Sequence, residues 1–380
     1  MFSSRVINVI VLLTLLVVLS DARPVRRRTC RAPSSAAQLS ATPSPSATVS
    51  PSQVVSESSA SQAASTSPIV IPSSSSVPLS SKAPTSTSSV PATSPTGVLG
   101  GMLNRLFPVS GFSKSWTTSP LSGQALALSD AAFRPTNVLT SVPHTYVNAP
   151  DGKRAMKAHY PKGSYTFGFN PQGGFSFYAP GHESVDLTTA KEATFGYSVY
   201  FPAGFNFQLG GKLPGLYGGN SAEESINCSG GSRSSACFSA RLMWRSEGRG
   251  EFYTYLPPYT EPQFAANKAV CNVAPQSDCN PVYGASVGRG SFEFATGAWT
   301  TISERVRLND VGQANGELQL FVNGKSVINV GGLILRDSAA GRIRGMQMQT
   351  FFGGSKIEFA SPKDQDVFFS DFSVAITKAL

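Results

Sequence analysis

Residues 239–255 read S-A-R-L-M-W-R-S-E-G-R-G-E-F-Y-T-Y and predict a β-hairpin. Apolar and polar residues alternate on both sides of a five-residue turn, residues 246–250, which contains two glycines. Loops of three to five residues with a glycine are common hairpin connections. The cross-strand pairs that this turn predicts are Arg245–Glu251, Met243–Tyr253 and Arg241–Tyr255.

The hairpin has one polar and one apolar face, because side chains alternate along a strand. The apolar face supplies core residues, namely Phe238, Ala240, Leu242, Trp244, Phe252 and Leu256. The polar face, which we expect to be solvated, carries Ser239, Arg241, Tyr253 and Tyr255. From this pattern alone, a decorated outer surface and a binding site carry equal weight.

A glycine-rich segment just upstream favours the binding site. Residues 210–219 read G-G-K-L-P-G-L-Y-G-G, which we interpret as a bend. Its single lysine, Lys212, lies among glycines that let backbone or ligand approach closely.

Together these segments resemble polysaccharide lyase family 14, secreted or viral enzymes that cleave alginate and related polyuronates. The matching residues are Lys212 in G-K-L-P-G, Ser239 and Arg241 in S-A-R, and Tyr253 and Tyr255 in Y-T-Y. The resemblance runs from about residue 98 through A-H-Y-P-K-G-S-Y and F-F-G-G to the closing F-F-S-D-F. An insertion with its own cysteines separates Lys212 from Ser239.

The resemblance implies β-elimination, in which a proton leaves C5 of a uronate while the C4 oxygen departs. We assign Lys212 to neutralising the carboxylate, because a fixed cation stabilises the charge that develops there. One of Tyr253 and Tyr255 acts as base and acid, with a pKa lowered by nearby cations. Arg241 and Ser239 fix the substrate. This scheme requires no metal or other cofactor.

Two glutamines are further candidates for binding the sugar. Gln347 and Gln349 alternate with methionines, so both side chains can line one groove. An exposed polar edge explains the same pattern equally well. The three histidines, His144, His159 and His182, are isolated and are interpreted as structural.

Other functions remain open at this point. A glycoside hydrolase needs two carboxylates across the scissile bond, and the acidic residues here are scattered. A non-catalytic carbohydrate-binding domain of the matrix or wall would not need Lys212 beside two phenols. A structural wall protein is the third alternative. No nucleic-acid-binding module is recognisable.

Short strand-like runs recur throughout residues 98–380, between glycine, proline and asparagine turn signals. The predicted strands are residues 193–201, 299–308, 318–322, 325–330, 343–352 and 367–376. Asn323-Gly324 between two of them is a strong hairpin signal. Helical periodicity is scarce. The sequence therefore predicts one all-β domain, an antiparallel β-sandwich of jelly-roll (concanavalin A-like) type.

The N-terminal quarter has a different composition. An apolar run over residues 9–19 and a small-residue cleavage site predict a signal peptide, residues 1–22. Basic residues 23–28 suggest a processing site, and the Ser/Thr/Pro-rich segment to residue 97 predicts a disordered, O-glycosylated stalk. We therefore expect a secreted, extracellular monomer with no membrane attachment once the signal is removed. Such a stalk suggests a eukaryotic, fungal source and favours glucuronan over alginate.

Five cysteines fit an oxidising compartment. Local pairing gives Cys228–Cys237 and Cys271–Cys279, although four cysteines permit three connectivities. Cys30 is left over, and Asn227 begins a glycosylation sequon.

The formal net charge is +9, but residues 1–97 hold seven basic and two acidic residues. The modest positive balance of the remaining domain suits an acidic polysaccharide.

Overall fold

The computed structural model describes residues 95–380, with side chains from residue 101 onwards. The predicted signal peptide, the basic segment, nearly all of the stalk and Cys30 lie outside these residues. The described part opens with helix α1, Pro95–Leu106, whose last residue is buried against the domain. None of its helices is long and apolar enough to cross a membrane.

Fifteen β-strands follow in the described residues, and every pairing between them is antiparallel. The strands are β1 Lys114–Thr117, β2 Thr145–Asn148, β3 Arg154–Tyr160, β4 Phe175–Ala179, β5 Ala190–Phe201, β6 Gly210–Gly219, β7 Cys237–Arg245, β8 Arg249–Tyr255, β9 Asp278–Cys279, β10 Ala285–Glu293, β11 Ala298–Arg307, β12 Gly316–Val322, β13 Lys325–Leu333, β14 Arg342–Phe352 and β15 Gln365–Ala379. The two short helices are α2 Asp130–Phe133 and α3 Ala222–Ser225, and 3-10 turns span Leu187–Thr189, Ser246–Gly248, Pro262–Asn272 and Ile357–Phe359.

The strands form two packed sheets. One has eight strands in the order β13-β12-β11-β5-β15-β3-β2, with β1 also paired to β15. The other has seven in the order β4-β14-β6-β7-β8-β10-β9. Aromatic side chains of both sheets fill the space between them, as where Phe201 of β5 meets Trp244 of β7. The predicted antiparallel jelly-roll sandwich is confirmed.

The predicted core face of the hairpin is also confirmed, since all six of its apolar residues belong to the core. Each of the six predicted strands is present, with ends within a few residues of the prediction. At the Asn323-Gly324 turn both residues have positive φ, 50° and 83°, as a type I′ hairpin turn requires.

The hairpin register, however, differs from the prediction by two residues. Arg241 lies opposite Tyr253, not Tyr255, and Met243 lies opposite Glu251. Gly250 belongs to strand β8 and not to the turn, because the Phe292 ring packs on it. A Cβ atom at this glycine would lie 2.1 Å from the ring. Because the shift is by two residues, each side chain keeps its predicted face.

The interpretation of residues 210–219 as a bend was wrong, because they form strand β6 in the middle of the seven-stranded sheet. Pairing with β7 shifts between Leu213 and Leu216, and Pro214 lies inside this bulge. Proline lacks an N–H and is tolerated within a sheet at bulges. Side chains of the opposite sheet form hydrogen bonds with the β6 backbone groups that have no partner on β7 at this bulge. Glu304 accepts a hydrogen bond from Leu216 N at 2.5 Å, and Tyr197 donates to the Pro214 carbonyl at 3.1 Å.

Two disulfides close loops beside this sheet. They join Cys228 to Cys237 and Cys271 to Cys279, as the local pairing predicted. The first packs with Tyr253 and Tyr255 on the face away from the core, and the second packs against the core. The first loop lies in the insertion between β6 and β7, and the second precedes β10.

Candidate active site

The predicted site residues meet on the face of the seven-stranded sheet opposite the core. A cavity of about 950 Å³ opens there. Neighbouring strands supply its floor, with Lys212 from β6, Arg241 from β7, Tyr253 and Tyr255 from β8 and Gln349 from β14. Residues from four strands thus line one cavity, and no single sequence motif contains all of them.

Lys212 is buried without a carboxylate partner in the part of the chain that the structure describes. Its Nζ atom lies 3.6 Å from the centroid of the Tyr253 ring and 2.8 Å from the Met243 sulfur. Burial, together with the positive charges of Arg241 and Arg245, holds the pKa of the Lys212 ammonium well below its usual value. Burial and these charges therefore disfavour the ammonium form of Lys212 relative to a lysine in water.

Arg241 lies beside it and is 2% exposed. Its Nη1 atom donates to Gln349 Oε1 at 2.7 Å, whereas its Nε–H has no partner among residues 95–380. An unpaired buried donor on a charged group is costly unless something binds it. This guanidinium is thus oriented by one glutamine and still has a free donor.

The two tyrosines pack edge to face, with ring centroids 5.9 Å apart. Burial and the neighbouring Tyr255 raise the pKa of the Tyr253 phenol above its usual value, although Arg245 and Arg241 act in the opposite direction. The prediction that cations lower the phenol pKa was wrong for Tyr253, because burial outweighs them. The Tyr255 oxygen accepts a hydrogen bond from Gly231 N at 2.9 Å.

The face expected to be solvated is in fact covered. Lys212 is 8% exposed and Tyr255 is 2% exposed. The insertion between β6 and β7 folds back over the strands and places Ser229 and Gly230 at the cavity. Arg233 of this insertion donates to the carbonyl of Asn280, which lies in the loop that follows the second disulfide. Two disulfide-bonded loops therefore form one continuous wall of the site.

Two of the predicted site residues lie behind the cavity surface. Ser239 is 1% exposed, and its hydroxyl donates to the Cys228 carbonyl at 2.8 Å, so it holds the insertion and does not line the cavity. Gln347 is also 1% exposed and donates to Gln349 Oε1 at 2.9 Å. Gln349 does line the cavity.

Several cavity residues were not predicted. Met243 contacts Lys212 directly, and the Arg245 guanidinium carbon lies 5.9 Å from the centroid of the Tyr253 ring. The hairpin pattern named both but gave them no role. Arg289 of β10 and Lys356 of the segment after β14 also line the cavity, and neither lies in a recognisable motif. Asn227 is exposed, and its glycosylation stays a prediction. No cluster of three or more potential metal ligands occurs in residues 95–380.

Comparison with known proteins now gives the family. The sequence model of polysaccharide lyase 14 matches residues 148–372. Among solved structures, the marine alginate lyase from Aplysia kurodai is 32% identical, covering 69% of this chain and 98% of its own, with a TM-score of 0.57. An alginate lyase from Chlorella virus is 26% identical over 66% of this chain and 93% of its own, with a TM-score of 0.51.

The chain belongs to the polysaccharide lyase 14 family and is a polysaccharide lyase. The glucuronan lyase from the fungus Trichoderma reesei is a weaker match, with 10% identity, coverage of 62% and 87%, and a TM-score of 0.38. Likeness at that level does not bear on the substrate. A search of curated proteins found no significant match.

Proposed function

We propose that this enzyme cleaves a polyuronate by β-elimination and that alginate is its substrate. The observation that carries the proposal is a buried lysine and a buried arginine, Lys212 and Arg241, that line one cavity with no carboxylate partner in residues 95–380. A substrate carboxylate would supply the missing negative charge beside Arg241, and Lys212 would lie next to it. Both structures reported above with more than 25% identity are alginate lyases, which favours alginate over the glucuronan expected from the sequence.

Arg241 is the residue best suited to the carboxylate of the reacting sugar. A guanidinium stays charged in proteins, and its free Nε–H can donate to a carboxylate oxygen. Hydrogen bonds from a fixed cation stabilise the negative charge that spreads from C5 into the carboxylate as the proton leaves. The sequence assigned this role to Lys212, whose lowered pKa makes it a weaker source of fixed charge.

Lys212 is in turn suited to accept the C5 proton. Its free amine takes that proton, the C5–H electrons form the C4=C5 double bond, and the C4–O4 bond breaks. O4 takes a proton from Tyr255, whose oxygen accepts the Gly231 N–H bond. Such a backbone donor also stabilises the phenolate left after transfer. The ammonium of Lys212 then returns a proton to Tyr255, directly or through water, which restores both groups.

The test of this function is a spectroscopic assay for elimination. The unsaturated uronate that elimination creates absorbs ultraviolet light, so absorbance should grow on polymannuronate or polyguluronate and less on polyglucuronate. New reducing ends without this absorbance would indicate a hydrolase, and binding without either product a lectin. Both results would contradict the proposal.

We propose in addition that the enzyme is secreted and acts outside the cell. The support is the predicted signal peptide together with two disulfides, which persist in oxidising compartments. Expression of the full chain in a secreting host should deliver protein to the medium, with an N-terminus beyond residue 22 by mass spectrometry. Retention of intact chain inside the cells would contradict this.

A further inference from the structure

A second charged cluster lies in the same cavity, beside the proposed reaction centre. Glu251 of β8 is completely buried and is held between two guanidiniums. Arg245 Nη2 lies 2.6 Å from Glu251 Oε1, and Arg289 Nε lies 2.8 Å from Glu251 Oε2. One carboxylate is shared by two cations, so the cluster keeps a net positive charge.

Both arginines are only partly used by these contacts. Their side chains are 16% and 22% exposed, and both line the cavity. Arg289 Nη2 donates to Ser286, while the Nη1 atoms of Arg245 and Arg289 have no protein partner in the described residues. Glu251 therefore fixes the orientation of two guanidiniums and leaves a donor on each available to the cavity.

The cluster adjoins the reaction centre but is displaced from Arg241 along β7. Arg241 and Arg245 point to the same face of β7, four residues apart, which corresponds to roughly 13 Å along a strand. Arg245 therefore follows Arg241 along the strand as a second position for an anion. A polyuronate carries a carboxylate on every sugar, so a chain held at Arg241 would bring another carboxylate toward Arg245.

We propose that Arg245 and Arg289 form a second anion subsite, which binds the carboxylate of a uronate outside the bond that is cleaved. This inference rests on the proposed function for the identity of its ligand. The forked geometry of arginine suits carboxylates. Glu251 is a positioning residue, because it orients both arginines without lining the cavity itself.

The first test is Arg289→Gln. Losing a hydrogen bond from a charged group, worth about 1.5–3 kcal/mol, should raise KM and the dissociation constant for polymannuronate about 10- to 100-fold. Turnover at saturation should change little, because the reacting sugar does not contact this subsite. Arg249→Gln is the matched control on the same hairpin. Arg249 pairs with Glu247, is 48% exposed and does not line the cavity, so its removal should leave both constants unchanged.

A second variant separates this role from a structural one. If Arg289 served only to neutralise Glu251, the double variant Glu251→Gln, Arg289→Gln would regain wild-type affinity. The subsite predicts that affinity stays low, although removal of the buried charge keeps the domain folded. Wild-type affinity in the double variant, or in Arg289→Gln alone, would overturn the inference.

Binding and turnover are measured separately, so that the two proposals fail in different ways. Calorimetry with polymannuronate reports on the subsite even if no elimination is detected. Absence of elimination on all three polyuronates contradicts the proposed function. Elimination with equal affinities for wild type and Arg289→Gln contradicts the subsite alone.

Discussion

The two outer faces of the sandwich use the same charged residue types in opposite ways. On the eight-stranded sheet, Arg305 donates to Glu192 at 2.7 Å and also binds Glu317. Burial alone would lower the Arg305 pKa, but the hydrogen bonds and negative charges of these two carboxylates raise it. On the seven-stranded sheet, burial lowers the pKa values of Lys212 and Arg241, which have no carboxylate partners among the described residues.

This difference separates cations that stabilise the protein from cations that are available to a ligand. In the Arg305 network, Glu192 and Glu317 balance the charges of Arg305 and Arg307, so it offers little to a further anion. A buried cation without a counter-ion is a cost that persists where function requires it. Substitutions on the outer face of the seven-stranded sheet should therefore lower activity, whereas those on the outer face of the eight-stranded sheet should lower stability.

The largest expected effect is that of Lys212 on turnover. Lys212→Ala should lower kcat about 10²- to 10⁴-fold, the usual contribution of an acid–base group, without loss of thermal stability. Lys212→Arg distinguishes the two possible roles, because arginine keeps the charge but cannot accept a proton at neutral pH. We expect Lys212→Arg to be as inactive as Lys212→Ala in the absorbance assay. Substantial activity in Lys212→Arg would return Lys212 to the role of carboxylate neutraliser.

Tyr255→Phe should have the next largest effect. It removes both the proposed proton donor and the acceptor of the Gly231 N–H bond, so kcat should fall about 10²-fold or more. The control is Tyr217→Phe, which removes a phenol from the same sheet outside the cavity lining. Equal rates for the two variants would exclude Tyr255 from the proton transfer.

Glu304 tests whether a buried carboxyl without a cationic partner among the described residues lowers stability away from the site. Burial between the sheets raises the pKa of its carboxyl well above the usual value. The unfolded chain therefore loses this proton at lower pH than the folded one, and stability falls as pH rises above about 4.3. Glu304→Gln should remove up to about 1.4 kcal/mol of this loss per pH unit.

Denaturant unfolding of wild type and Glu304→Gln at pH 4 and pH 7 measures the difference. The variant should gain stability relative to wild type at pH 7 and lose that advantage at pH 4. A pH-independent difference would show that the carboxyl is not protonated in the folded state.

The smallest expected effect is that of Arg305→Ala, and it falls on stability. Loss of its hydrogen bonds to Glu192 and Glu317 should lower the free energy of unfolding by about 1–2 kcal/mol, because the network is partly screened by solvent. The specific activity of the folded enzyme should be unchanged, since this residue lies on the opposite sheet. A parallel loss of activity would contradict the division of labour between the two faces.

The sequence predicted the fold class well, because alternation and turn residues are local signals. The Asn323-Gly324 turn and the faces of the Ser239–Tyr255 hairpin depend only on neighbouring residues. The register of that hairpin was wrong by two because Gly250 was counted as a turn residue. Its contact with the distant Phe292 ring, which makes it a strand residue, leaves no trace in the local pattern.

The sequence predicted some of the residues that line the cavity but not the segments that cover it. Lys212, Arg241, Tyr253 and Tyr255 came from motifs, and the structure brings them to one cavity. Their burial was missed because the covering loops are remote or belong to the insertion. Strand β6 was mistaken for a bend because glycine and proline usually interrupt strands, whereas here a Cβ atom at Gly215 would lie 2.1 Å from the Ala240 carbonyl.

The edge strands of the seven-stranded sheet affect how readily the enzyme aggregates at high concentration. Strand β9 at one margin has two residues, and one of them is cross-linked through Cys271–Cys279. At the other margin, Thr136 bridges Tyr178 of β4 and occupies part of its backbone. Neither margin offers a long row of free amides for another chain to extend. The seven-stranded sheet is thereby protected from fibril-like growth by addition of strands at its edges.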